Sequence, residues 1–253
     1  MVRIIIHGCN GRMGQFISKL AESDNEVETA AGVDIFTGIA NPYPVFTDIR
    51  ECDIDADVVI DFASAKAVDG LLDYCEEKGM ACVLCTTGLD ETQLARVEAV
   101  SRKAAILKSA NMSVGINLLF KLLAEAAPVL AAAGFDMEIV EKHHNQKLDA
   151  PSGTALALAD SLNGALGNAY EYVCDRSVRR AVRPEKEIGI SAVRGGTIVG
   201  EHDVIFAGRD EVITFSHQAY SREVFAKGAL QAAKFLSGKP AGYYNMRDVI
   251  EGR

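Results

Sequence analysis

Apolar residues fall in short, unalternating runs through the first half of the chain and in glycine-punctuated runs through the second. Residues 2–6, 27–34, 58–62, 81–85 and 105–108 each read as a strand. Cores such as Ile4-Ile5-Ile6 and Val58-Val59-Ile60 lack a polar face, as expected of strands covered by helices on both sides. Helix-compatible stretches separate them at 15–23, 65–78 and 90–104. Strand and helix in alternation predict an α/β fold with a Rossmann-type, doubly wound parallel sheet. After Asn111 the pattern changes to a helical run reaching about 133, a strand at 137–141, a helix from about Pro151, and Gly-rich strands through Phe215. This predicts a second, α+β domain. The chain then returns to helix, with Ser221 as N-cap, apolar Phe225, Ala229, Ala232, Ala233 and Phe235, and Gly238 and Pro240 as stop signals. That helix is expected to pack on the first domain, so the division expected is 1–114 plus 221–253 against 115–220.

Composition narrows the classes. With 253 residues, 49% of them apolar, the chain can fill one large core or two modest ones. A net charge of -9 repels phosphate backbones and anionic lipid, so nucleic-acid and membrane-surface partners are not expected. The one basic stretch, Arg176, Arg179, Arg180, Arg183 and Lys186, is interrupted by Glu185 and Glu187 and reads as a solvated loop. Uncharged runs such as 109–120 fall short of the roughly 18–20 apolar residues of a membrane helix. The N-terminus lacks a signal-peptide pattern, and a cytoplasmic location is expected. Six cysteines suit free thiols in a reducing compartment. Cys82 and Cys85 match a C-x-x-C spacing but lie in a strand, where residues three apart face opposite ways, so a redox pair is not expected.

Glycines 8, 11 and 14 sit where the first strand turns into a helix. There the backbone can approach a pyrophosphate while the helix N-terminus offers unpaired N–H groups. Asp34 closes the second strand 20 residues after Gly14, placed to accept hydrogen bonds from adenosine ribose hydroxyls. A 2′-phosphate would bring like charge to Asp34, and Ile35 and Phe36 offer no cation to offset it. NADH is therefore expected to be preferred, with NADPH possible. Thr86-Thr87-Gly88 ends the fourth strand at the carboxyl edge of the sheet, where ligands bind in such folds; a plain turn is the alternative.

The densest chemistry lies between Glu138 and Ala155. If the strand stays extended, His143 and His144 point to opposite faces and take different roles. Pro151 suits a first helical turn, which would leave the N–H groups of Ser152, Gly153 and Thr154 free to receive a carboxylate, with Lys147 adding a full positive charge. No metal is expected.

This segment resembles the dihydrodipicolinate reductase family, which carries E-x-H-H-x-x-K-x-D-A-P-S-G-T-A and is matched here from Glu141 to Ala155. The resemblance extends to Gly8–Gly14 with Arg12 and Met13, to Thr86-Thr87-Gly88, to 109–115, to 194–202 and to 221–228. It implies reduction, with loss of water, of a cyclic unsaturated imine dicarboxylate to tetrahydrodipicolinate by a homotetramer. It further implies that Asn10, Arg12, Met13, Asn111 and Met112 adjoin the nucleotide. Met112 departs from a position where Phe is common. By the same resemblance His143 is general acid toward the enamine carbon, Lys147 assists it, and His144, Lys147, Ser152, Gly153 and Thr154 hold the two carboxylates. The competing readings are another two-domain dehydrogenase of amino-acid metabolism and a non-catalytic NAD(H)-binding redox sensor, which would not need Lys147 with His143.

Overall fold

The strands of the first sheet carry apolar residues on both faces because both faces are covered. In the computed structural model, which describes residues 1–109 and 111–252, β1 (Val2–His7), β2 (Val27–Val33), β3 (Val45–Phe46), β4 (Val58–Asp61), β5 (Ala81–Leu84) and β6 (Ala105–Lys108) pair in parallel. The sheet order is β3-β2-β1-β4-β5-β6, extended at its far edge by β12 (Gly242–Tyr244). The order reverses between β1 and β4, which makes the carboxyl edge there the ligand crevice of a doubly wound sheet. On one face Ile4, Ile6, Ile60, Val83 and Leu107 pack against α1 (Arg12–Glu22) and α6 (Glu223–Leu236). On the other, Ile5, Val59, Cys82 and Ile106 pack against α2 (Val68–Lys78) and α3 (Glu91–Ser101). Cys82 and Cys85 accordingly belong to opposite faces, and both are free thiols.

This unit comprises residues 1–114 and resumes at Glu223; residues 115–222 form a second unit. The second has a mixed sheet in the order β11-β10-β7-β9-β8, built from β7 (Asp136–His143), β8 (Glu171–Val173), β9 (Glu187–Arg194), β10 (Gly200–Ala207) and β11 (Val212–Ala219). Burial alternates along β7 and β10 because only one face is covered. Met137, Ile139, Val204 and Phe206 meet Leu119, Leu123 and Ala127 of α4 (Val114–Ala132) and Leu158, Ala159 and Leu162 of α5 (Gly153–Ala165).

Three expectations change. The helical stretch from residue 65 opens as a 3-10 turn, Ala65–Ala67, before α2. Helix α6 begins at Glu223, two residues after Ser221, with a turn at 221–222. Helix α4 runs through Lys121 and Glu125 to 19 residues, long and apolar enough by composition to cross a membrane; here Leu119, Leu123 and Ala127 line the core of the second unit. The short β3 and β12 and the final helix α7 (Met246–Glu251) were not expected. Ala110, within the 109–115 match, lies outside the described residues.

Candidate functional sites

In the first unit the three glycines make a tight turn. Gly8 has φ +83, and a Cβ there would stand 2.9 Å from the Phe62 carbonyl group and the Ala63 nitrogen. A Cβ on Gly14 would stand 2.2 Å from the Gly8 oxygen, so α1 presses directly on the turn. Gly11 is the N-cap of α1 and supplies no side chain to satisfy its first turn, leaving that end to a ligand. Arg12 is exposed there, while Met13 and buried Met112 pack toward the core beneath α6. The Asp34 carboxylate accepts from the Asn10 N–H and the Phe36 N–H, each at 2.9 Å, and so ties the glycine turn to the end of β2. The Asn10 side chain is itself held by Asn41 and the Phe36 carbonyl.

Gly8, Gly11 and Asp34 line a groove of about 570 Å³ with Ser64 and with two cations, Arg50 and Lys66, supplied by segments that follow Asp34 in sequence. Beside it, His7 Nδ1 and Asp61 Oδ1 are 2.8 Å apart at the ends of β1 and β4, both buried. Further along the edge, Thr86 is buried with its hydroxyl unpartnered, Gly88 has φ +73, and Lys108 donates to the Thr86 carbonyl at 3.3 Å. Asn111 Oδ1 accepts from Ser113 N at 2.8 Å. An open glycine cradle, an uncapped helix end and an orphaned hydroxyl along the carboxyl edge fit a dinucleotide.

In the second unit the centre is Glu141, a fully buried carboxylate on β7. His143, two residues on, shares its face, and His143 Nδ1 lies 2.6 Å from Glu141 Oε2. Arg194, ending β9, donates to both carboxylate oxygens at 2.7 Å and reaches the Asp149 carbonyl at 2.6 Å. The Ser152 N–H donates to Glu141 Oε1 at 2.9 Å. Ser152 is the N-cap of α5: its hydroxyl accepts from Ala155 N–H and sits 3.2 Å from His202 Nε2 on β10. His202 in turn meets the His143 ring edge-on with centroids 5.2 Å apart. The loop is closed by Lys147, whose Nζ lies 2.8 Å from Asp149.

The helix start therefore differs from the expectation. It begins at Gly153, two residues after Pro151, and the Ser152 N–H is not free, because Glu141 reaches it from the strand. The Asp149 carboxylate is held below its ordinary range, chiefly by Lys147 and in smaller part by the Gly153 N–H. His144 follows the strand end, half-buried, without sharing the Glu141 contact. Neither Glu141, Arg194 nor His202 was assigned a role from sequence. The signal for Glu141 was present, since residues i and i+2 of a strand face the same way.

Electrostatics follow from burial. Burial pushes the Glu141 carboxyl up, but hydrogen bonds from Arg194, His143 and Ser152 outweigh it and hold the group below its ordinary range. Burial also lowers His143, against the opposing pull of Glu141. His202 is pushed down to about 4, chiefly by burial and then by the neighbouring His143. An ionised Glu141 takes the Nδ1 hydrogen of His143 and leaves Nε2 to deliver a proton, an arrangement suited to general acid catalysis. Nε2 lies over Gly200, where a Cβ would stand 3.1 Å away.

Comparison with known proteins agrees with the two-unit architecture. Residues 2–112 match the family model described as dihydrodipicolinate reductase, N-terminus, and residues 115–250 match that of its C-terminus. The 4-hydroxy-tetrahydrodipicolinate reductase of Caldanaerobacter subterraneus subsp. tengcongensis is 54% identical over 251 residues, 99% of each chain. That of Clostridium tetani is 48% identical, covering 97% of this chain and 96% of the relative. Among solved structures, the dipicolinate-bound dihydrodipicolinate reductase from Paenisporosarcina sp. TG-14 superposes with TM-score 0.76 at 24% identity, over 97% of both chains, a likeness of fold.

Proposed function

The chain belongs to the dihydrodipicolinate reductase family, and on that premise we propose that its first unit holds the reduced nucleotide and its second unit the substrate. The protein is a pyridine-nucleotide-dependent oxidoreductase of the diaminopimelate route to lysine, reducing 4-hydroxy-tetrahydrodipicolinate to tetrahydrodipicolinate. When bound, the nucleotide supplies the hydride. Gly8, Gly11 and Gly14 admit its pyrophosphate to the start of α1, with Asn10, Arg12 and Met13 beside it, and Asp34 accepts from its ribose. Thr86, Thr87, Gly88, Asn111 and Met112 border the nicotinamide end. The unpartnered hydroxyl of Thr86 supports that placement.

After the substrate has lost its 4-hydroxyl as water and hydride has added to the resulting ring, His143 protonates the enamine carbon, using the proton on Nε2 while Glu141 holds Nδ1. Lys147, with His144 and the N–H groups of Gly153 and Thr154, receives the substrate carboxylates. For Lys147 and Gly153 this means exchanging the carboxylate of Asp149 for that of the substrate. Ser152 contributes by fixing the helix start to Glu141. The observation that carries this reading is one continuous segment, the end of β7, the loop after it and the start of α5, which brings together a buried Glu141–His143 pair, Lys147 and a helix N-terminus. The Asp34 carboxylate in the nucleotide groove supports a preference for NADH. A cytoplasmic homotetramer completes the proposal; exposed Leu118, Leu122 and Val129 along one side of α4 and the edge strand β11 support association between copies.

The test is oxidation of NADH, and separately of NADPH, with substrate generated in place by condensing pyruvate and aspartate semialdehyde. His143→Gln should lower kcat by roughly 10²-fold with nucleotide affinity unchanged. Lys147→Ala should impair both kcat and substrate binding. A variant of either residue that turns over like the wild type removes that residue from its role.

A further inference from the structure

We propose that the Asp48–Arg50 ion pair sets the choice between NADH and NADPH. This deepens the reading of the first-unit groove as the nucleotide site and rests on it. Strand β3 pairs with β2 so that Val33 faces Phe46, and the Asp34 N–H donates to the Phe46 carbonyl at 2.9 Å. The residues that follow β3 therefore leave the sheet at the edge where Asp34 waits for a ribose. Asp48 and Arg50 line the same groove as Asp34, with Lys66 and Asp73.

Arg50 is the guanidinium best suited to a 2′-phosphate, which it can grip with two parallel N–H bonds. It is folded back instead. Asp48 caps the 3-10 turn Ile49–Glu51 by accepting from the Arg50 backbone N–H at 3.0 Å, and the same carboxylate takes the side-chain Nε at 2.9 Å and the terminal Nη2. A phosphate must displace Asp48 before Arg50 can reach it, and then meets Asp34 as well. Asp73 adds little to this, since it is already held by Arg96. Lys66 has no acidic partner among the described residues, so it attracts a phosphate but cannot replace the fork of Arg50. A ribose 2′-hydroxyl meets none of this competition, because Asp34 accepts from it directly.

The two cations thus make NADPH usable, and Asp48 keeps it the weaker ligand. Arg50 is largely exposed, so its pair with Asp48 is labile and the preference it sets is modest.

The experiment measures dissociation constants of NADH and NADPH by nicotinamide fluorescence, and of adenosine 5′-diphosphate and adenosine 2′,5′-bisphosphate by competition. Asp48→Asn keeps an acceptor for the Arg50 backbone N–H and so preserves the turn. It should tighten NADPH and the 2′,5′-bisphosphate by roughly fivefold, the scale of one exposed ion pair, while leaving NADH and the 5′-diphosphate unchanged. Arg50→Gln in the native background should weaken NADPH alone, and combined with Asp48→Asn it should cancel the gain. Equal shifts for both nucleotides, or a gain that survives loss of Arg50, overturn the proposal. If the wild-type protein binds neither nucleotide, the groove reading fails first and this inference falls with it.

Discussion

Glu141→Gln isolates the part of the second-unit centre that tunes His143. The substitution preserves shape and an acceptor for the Ser152 N–H, but removes the charge 2.6 Å from His143 Nδ1. A charge-assisted hydrogen bond of this kind contributes about 1.5–3 kcal/mol. That corresponds to roughly one to two pH units in the titration of the imidazole. Burial already lowers His143, and without Glu141 nothing in the centre opposes it, because the other charges named there, Lys147 and Arg194, also lower it. The general acid works only while protonated, so the limb on which kcat falls with rising pH should move one to two units toward acid, and kcat near neutrality should fall roughly 10- to 100-fold. Nucleotide binding should be unaffected. Arg194 loses its ionic partner but is 19% exposed, so the cost to stability should stay below the about 3–5 kcal/mol of a wholly buried broken pair. The assay is kcat against pH for both proteins, with urea denaturation as control. A limb that stays in place while kcat falls would mean that Glu141 serves packing and not the proton.

Three further outcomes follow from geometry. His202 has an ordinary value of 6.5 lowered to about 4, so on acidification the unfolded chain takes the proton first; stability is intact above 6.5 and is lost as pH falls toward 4. The loss from this group should be about 3 kcal/mol, and His202→Gln should flatten the stability-pH curve in that window; an unchanged slope would refute it. Gly14→Ala should abolish nucleotide binding in equilibrium dialysis, because the new Cβ meets the Gly8 oxygen at 2.2 Å; retained affinity would contradict the tight turn. Gly228→Ala drives a Cβ to 1.7 Å from the Met112 carbonyl and should destabilise by about 1–3 kcal/mol or more, read as a lowered Tm.

The doubly wound sheet was legible because Ile4-Ile5-Ile6 and Val58-Val59-Ile60 are apolar without alternation and because three glycines mark the first turn. Val45–Phe46 and Gly242–Tyr244 were not, since strands of two and three residues have no period to read and exist only through pairing with β2 and β6. The same limit applies at the sites. His143, Lys147 and Asp34 sit in local patterns. Arg194 and His202 join Glu141 and Ser152 from strands about fifty positions away, and Arg50 reaches the groove of Asp34 only because β3 lies beside β2. The helix start at Gly153 was misplaced for a related reason: Pro151 suggested local helix geometry, whereas Ser152 is held by a carboxylate from the preceding strand.

The position of α6 has a consequence for biogenesis. Ala226, Ala229, Leu230, Ala232, Ala233 and Leu236 complete the face formed by Ile4, Ile6, Ile60, Val83 and Leu107, yet more than a hundred residues are translated between β6 and this helix. A nascent chain that has emerged through β6 has α1 on this face but leaves the part under α6 uncovered until that helix is made. The second unit, continuous in sequence, can close earlier. Slow translation or a stop codon before α6 should therefore yield an aggregation-prone sheet beside an already folded neighbour, and chaperone demand should concentrate on the earlier-made half of the protein.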